Sequence, residues 1–150
     1  MNKSLLVLSV LLISFFSSCD KSLDSDIPSL PVYLSIKTDL TGLSVPGAYK
    51  TYPKAPDASS YIGFGGVLVL CGYDAPEVFA FDMACPYEVD KNVRIKVDSN
   101  NIGVCAKCGS EFNSIFWGSP APSSGPAFEK NLFLRRYNAF VQNMTITVTN

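Results

Sequence analysis

Val93-Arg94-Ile95-Lys96-Val97-Asp98 alternates apolar and polar side chains, Ser99-Asn100-Asn101 interrupts the run, and Ile102-Gly103-Val104 leads on into Cys105-Ala106-Lys107-Cys108-Gly109. A period of two sends successive side chains to opposite faces, so these residues predict a β-hairpin with one buried face. The segment after the hairpin is of another kind. Two cysteines with two residues between them let both sulfurs face one point, and the glycine behind them lets the chain turn beneath, which is the pattern of a metal knuckle.

The same period recurs on either side of this segment. Val32, Leu34 and Ile36 alternate with Tyr33, Ser35 and Lys37, and Pro46-Gly47 breaks the chain after them. Val67 to Cys71 and Glu77 to Asp82 flank Gly72-Tyr73-Asp74-Ala75-Pro76, which predicts a second hairpin. Phe140 to Thr149 alternates through Val141, Met144, Ile146 and Val148, with a change of face at Gln142-Asn143 that marks a turn. No stretch carries a helical period. Short strands between turn clusters predict a single all-β domain, an antiparallel sandwich or barrel-like sheet pair. Residues 83–90 and 105–127, rich in Cys, Gly, Ser and Pro, are expected as loops on that scaffold, the usual place for a site. Gly63-Phe64-Gly65-Gly66 leads into a strand instead of opening a helix, so it predicts a turn or bulge and not a dinucleotide-binding loop.

The chain's 12 basic and 13 acidic residues give a net charge of −1, with no basic surplus for a nucleic-acid partner. Histidine is absent, which removes imidazole from every catalytic, zinc or haem role. Asp82, Glu88 and Asp90 near the first loop form no recognisable acid–base pair, so no independent enzyme is expected. At the N-terminus, Lys3 precedes an apolar run from Leu5 to Phe16, which ends in Ser17-Ser18-Cys19. That run is shorter than the ~20 residues of a membrane span and matches a secretory signal region. Phe16-Ser17-Ser18-Cys19 resembles a bacterial lipobox. Residues 1–18 are therefore expected as a lipoprotein signal peptide, Cys19 as the lipidated residue, residues 19–30 as a flexible tether, and residues 31–150 as the β domain. The chain would then be membrane-attached through its anchor in the bacterial cell envelope, at the outer membrane or on the periplasmic face, with an envelope protein as a candidate partner.

Four cysteines remain besides Cys19. Across a hairpin turning at residues 72–76, Cys71 and Cys85 fall roughly 25 Å apart at ~3.3 Å per residue, too far for a disulfide. Cys71 is expected as a packed thiol. Cys85-Pro86-Tyr87, at the tip of a neighbouring strand, offers a third sulfur to the Cys105/Cys108 knuckle. Phe112, Phe116 and Trp117 are expected as a lid over the site and filling beneath it, and Lys130, Arg135 and Arg136 as a solvated basic face. Asn143-Met144-Thr145 matches a glycosylation acceptor only formally.

Taken in order, Ala84-Cys85-Pro86-Tyr87, Cys105-Ala106-Lys107-Cys108-Gly109-Ser110-Glu111-Phe112, Gly118-Ser119-Pro120, Gly125-Pro126-Ala127, Leu134 and Tyr137 resemble the Rieske iron–sulfur domain. The likeness covers roughly residues 60 to 148 and is greatest to Rieske-like envelope lipoproteins with a drifted ligand pattern. It implies an antiparallel β-sandwich with an inserted cluster-binding loop subdomain, and a [2Fe-2S] electron-transfer class. The family's loops read Cys-x-His and Cys-x-x-His; here Cys85 and Cys105 hold the cysteine places, while Tyr87 and Cys108 hold the histidine places. Three outcomes compete for such a site. One is a cluster-free structural or binding module, with Cys85 and Cys105 close enough to form a disulfide because in the family these two share an iron. Another is a structural zinc on Cys85, Cys105 and Cys108. The third is an atypical [2Fe-2S] carrier using those sulfurs and a fourth ligand from Tyr87, Glu88 or a partner.

Overall fold

The computed structural model describes residues 25–74 and 77–150. The signal peptide, Cys19 and the first part of the expected tether lie outside the described residues. The described residues form ten strands: β1 (Val32–Lys37), β2 (Tyr49–Tyr52), β3 (Tyr61–Ile62), β4 (Val67–Cys71), β5 (Val78–Asp82), β6 (Ile95–Val97), β7 (Gly103–Cys105), β8 (Glu111–Phe112), β9 (Arg136–Gln142) and β10 (Thr145–Thr149). Their pairings are antiparallel throughout. Among the described residues, helical structure is confined to single turns at Thr38–Thr41, Ile115–Trp117 and Gly125–Glu129. The all-β class expected from the sequence is the one adopted. Among the described residues no helix is long and apolar enough to cross a membrane.

Seven strands run in the order β2-β4-β5-β9-β10-β1-β3, and three more form a separate sheet β6-β7-β8. Strand β9 belongs to both halves of the larger sheet: Arg136 and Tyr137 pair with Phe81 and Ala80 of β5, while Asn138 to Gln142 pair with β10. The halves fold toward each other about this strand. Val32, Leu34, Ile36, Val67, Val69, Ala80, Tyr137, Ile146 and Val148 fill the space between them.

Strand β4 explains why its sequence is an unbroken apolar run. Val67, Val69 and Cys71 face that first core, while Leu68 and Leu70 face a second one with Phe79, Phe81, Ile95, Phe112 and Phe116. A strand buried on both faces has no polar side to alternate with. The second core bonds the small sheet to the back of the β4–β5 pair, and Cys85 and Cys105 lie in it. Cys71 is a packed thiol, its S–H donating to the Leu43 carbonyl at 2.9 Å.

Two expectations about the ends need correcting. The β9–β10 hairpin turns at Asn143-Met144, both at positive φ as a two-residue hairpin loop requires, and β9 begins at Arg136, not Phe140. The tether does not run free to residue 30. Ile27 is fully buried, the Ser25 hydroxyl donates to the Phe133 carbonyl, and Arg135 donates to the carbonyls of Ile27 (2.7 Å) and Ser25 (2.9 Å). A short polar segment carries no sequence signal for docking when a distant arginine supplies its partners.

Candidate metal centre

The site begins at a buried carboxylate. Asp82, the last residue of β5, accepts from the N–H groups of Phe64 (2.9 Å), Gly65 (2.9 Å) and Ala84 (2.7 Å) and from the Tyr137 hydroxyl (2.6 Å). The glycine-rich loop at residues 63–66, expected as a turn or bulge, thus wraps a carboxylate of the chain's own. Gly65 cannot be larger there, because a Cβ would stand 2.5 Å from the Ala84 nitrogen. Through Ala84, Asp82 fixes the approach of the first cysteine loop. Met83 adds a bond from its N–H to the Gly66 carbonyl, and its own carbonyl accepts from Ile95.

Burial first, and the negative charge of Asp82 second, hold the Tyr137 hydroxyl far above the ordinary tyrosine value. An unfolded tyrosine ionises near pH ~10 while the native one keeps its proton. Above that pH the unfolded chain binds fewer protons than the native one, so stability falls as pH rises. Tyr137→Phe is expected to flatten that fall, read as urea midpoints at about pH 9 and about pH 11. Equal slopes in parent and variant would contradict the assignment.

Two knuckles of like construction carry the cysteines. In the first, the Cys85 N–H donates to the Val93 carbonyl and the Cys85 carbonyl accepts from Val89; in the second, the Cys105 N–H donates to the Ser110 carbonyl and the Cys105 carbonyl accepts from Gly109. Each closing residue sits in the left-handed region, Gly109 at φ 73° and Val89 at φ 48°. Glycine takes that conformation without strain, whereas a β-branched valine does not. The turn at Gly125–Glu129 lies over the second knuckle, where the Ala127 N–H donates to the buried Ser110 hydroxyl at 2.9 Å. The same Ser110 hydroxyl shares a hydrogen bond with the Cys108 sulfur at 3.1 Å.

The structure brings Cys85, Cys105 and Cys108 together, all three sulfurs within 4.8 Å of one another. All are free thiols. Cys85 and Cys105 are fully buried and Cys108 is partly open. The contact at 3.6 Å is between Cys85 and Cys108, so the expected Cys85–Cys105 pairing has a rival that the family likeness did not suggest. Burial pushes the Cys85 thiol up to about 12, against backbone donors from Glu88 and Tyr87. Burial also works to raise Cys108, but hydrogen bonds from the Ser110 hydroxyl and N–H and from the neighbouring thiols outweigh it, and Cys108 is held below the ordinary thiol value.

The residues considered for a fourth ligand are engaged elsewhere. Glu88 pairs with the Lys107 ammonium at 2.5 Å. Tyr87 is exposed, with the Lys130 ammonium 5.1 Å from its ring centre. The expected basic face divides three ways: Lys130 caps Tyr87, Arg135 holds the N-terminal segment, and Arg136 lies 5.4 Å over Phe79. Nor do the aromatics form one lid. Phe112 and Phe116 are buried as filling, but Trp117 is 60% exposed and leans on Tyr73 at 5.2 Å, which itself stacks on Phe116. The three aromatics are near neighbours in sequence, and a strand end followed by a single helical turn sends them to different sides.

A [2Fe-2S] centre of the Rieske kind needs two thiolates on one iron and two imidazoles on the other. The donor set here does not fit it. The chain has no histidine, and the sulfur in one histidine place, Cys108, lies against Cys85 instead of standing off across a second iron. No protein-family model matches the chain, and no curated protein matches it in sequence. Among solved structures, it is similar to a chain of the complex of reduced oxygenase and oxidized ferredoxin in carbazole 1,9a-dioxygenase, at 13% identity and a TM-score of 0.48 over 79% of this chain and 93% of that one. It is also similar to the ferredoxin of carbazole 1,9a-dioxygenase from Nocardioides aromaticivorans IC177, at 20% identity and a TM-score of 0.46 over 80% of this chain and 97% of that one.

Proposed function

We propose that this chain is an envelope lipoprotein whose Rieske-like β domain carries no conventional [2Fe-2S] centre and serves as a structural or binding module. The observation that supports this reading is the sulfur triangle itself. Its three members occupy one small volume, and Tyr87 and Glu88, which would have to complete a second iron, face Lys130 and Lys107. The two loops they join are braced independently, by backbone bonds within each knuckle and by Asp82 below the first. Such a scaffold keeps its shape without electron-transfer chemistry.

Anchorage would come from Cys19. With Ser25 already docked on the domain, an extended spacer from Cys19 reaches only about 20 Å. The domain is thereby held close to the bilayer, where a partner in the same membrane is the natural one. Replacing Cys19 by Ser is expected to move the protein from the membrane to the soluble fraction.

Visible absorption tests the site. The full chain purified without oxygen is expected to be colourless above the protein band. The absorption bands of an iron–sulfur cluster would establish the competing reading, an atypical [2Fe-2S] carrier with a ligand from outside the three cysteines.

A further inference from the structure

Building on the reading that no conventional two-iron centre forms, we propose that Cys85, Cys105 and Cys108 bind one thiophilic divalent ion of the zinc type, with a fourth coordination position open on the Cys108 side. Two sulfurs on one tetrahedral zinc, each at ~2.3 Å from it, stand ~3.8 Å apart. The Cys85–Cys108 separation of 3.6 Å matches that edge, and the third sulfur lies within 4.8 Å of both. Sulfurs on opposite irons of a cluster are separated further by the iron–iron vector, so a set this compact encloses one ion, not two. At 3.6 Å the two sulfurs are also well beyond the ~2.05 Å of a disulfide bond.

The surroundings are those of a thiolate site. Backbone donors from Glu88 and Tyr87 address the Cys85 sulfur, and the Ser110 hydroxyl and N–H address Cys108. These donors spread the charge of the sulfurs and orient them, as outer partners of metal ligands do. On binding, three S–H bonds break, three metal–sulfur bonds form and three protons pass to solvent, with no electron transferred. Three thiolates on one divalent ion leave the assembly at a net charge of −1, beside the Lys107–Glu88 ion pair, whose ammonium interacts with Cys105 electrostatically. Cys85 and Cys105 are sealed in the second core, so only the partly open Cys108 side admits a fourth ligand. Water or a donor from a partner protein fits there, the arrangement of zinc sites that keep one position exchangeable.

The test is a titration of the full chain in detergent, reduced and freed of metal, with cobalt(II) as a coloured probe. The proposal expects one cobalt per chain, a thiolate-to-cobalt charge-transfer band with the intense visible bands of four-coordinate cobalt, and bleaching by one equivalent of zinc. Cys108→Ser should weaken binding by at least about tenfold, whereas Cys71→Ser, outside the triangle, should leave it unchanged. A measurement without variants stands beside it: zinc should slow alkylation of Cys108 by at least about tenfold. Absence of the charge-transfer band, or alkylation of Cys108 indifferent to zinc, would overturn the single-ion site while leaving the module reading standing. Two irons with two sulfides in the freshly isolated protein would overturn both.

Discussion

Replacing Asp82 by Ala is expected to cost at least about 4 kcal/mol of folding free energy, the largest loss from any single polar residue in the domain. The carboxylate is buried to 1% exposure and serves three backbone N–H groups and one hydroxyl. Removing it leaves four buried donors without an acceptor, each worth about 1–3 kcal/mol when unsatisfied. A domain of this size has only about 5–15 kcal/mol in hand, so the variant should be near or past unfolding at 37 °C. Asp82→Asn is the milder change: the amide keeps one oxygen but turns an NH₂ toward donors. Urea midpoints by circular dichroism give both values, and an Asp82→Ala loss below about 1 kcal/mol would show that the hub does not support the glycine loop and the first knuckle.

Gly125→Ala is expected to destabilise by about 2–4 kcal/mol and to loosen the cysteine site with it. Two causes add. The residue has φ 76°, where an L side chain costs about 1–2 kcal/mol. Its Cβ would also stand 2.8 Å from the Ser110 Cα and 2.9 Å from the Gly109 carbonyl oxygen, backbone atoms that no rotamer change can clear. Relief requires the 125–129 turn to lift from the second knuckle, taking the Ala127 N–H away from Ser110. Gly109→Ala is the control: it has a similar φ of 73° but no atom within 4 Å of the added carbon, so only the conformational cost of about 1–2 kcal/mol should appear. Equal losses in the two variants would contradict the packing of the turn on the knuckle.

The parts of the molecule legible in its sequence are those whose local pattern carries its own physical cause. Val32-Leu34-Ile36 alternates because β1 has one buried face, and Ser99-Asn100-Asn101 turns the chain because polar residues there tolerate tight loops. The knuckle at Cys105-x-x-Cys108-Gly109 is equally plain, since sulfur spacing and the left-handed glycine are local properties. Strand β2 is not legible: Tyr49–Tyr52 is largely exposed at a sheet edge and shows no alternation. The docking of Ser25 and Ile27 depends on Arg135, more than a hundred residues away, and the hub at Asp82 joins a glycine loop, a strand end and Tyr137. Glycines at 63, 65 and 66 with an aspartate 17 residues beyond the middle one give no one-dimensional sign of a loop wrapping a carboxylate. In the site, the sequence supplies the three sulfurs but not their mutual arrangement. Their arrangement depends on how two knuckles meet across the second core, which brings Cys85 within 4.8 Å of Cys105, the pair the family likeness implies, and also within 3.6 Å of Cys108.

Iron, zinc and acid-labile sulfide, counted per chain in protein isolated without oxygen, separate a single-ion site from a cluster. The single-ion site predicts iron and sulfide near zero and zinc at about one. Iron and sulfide each at about two would contradict it and make the chain an iron–sulfur carrier after all.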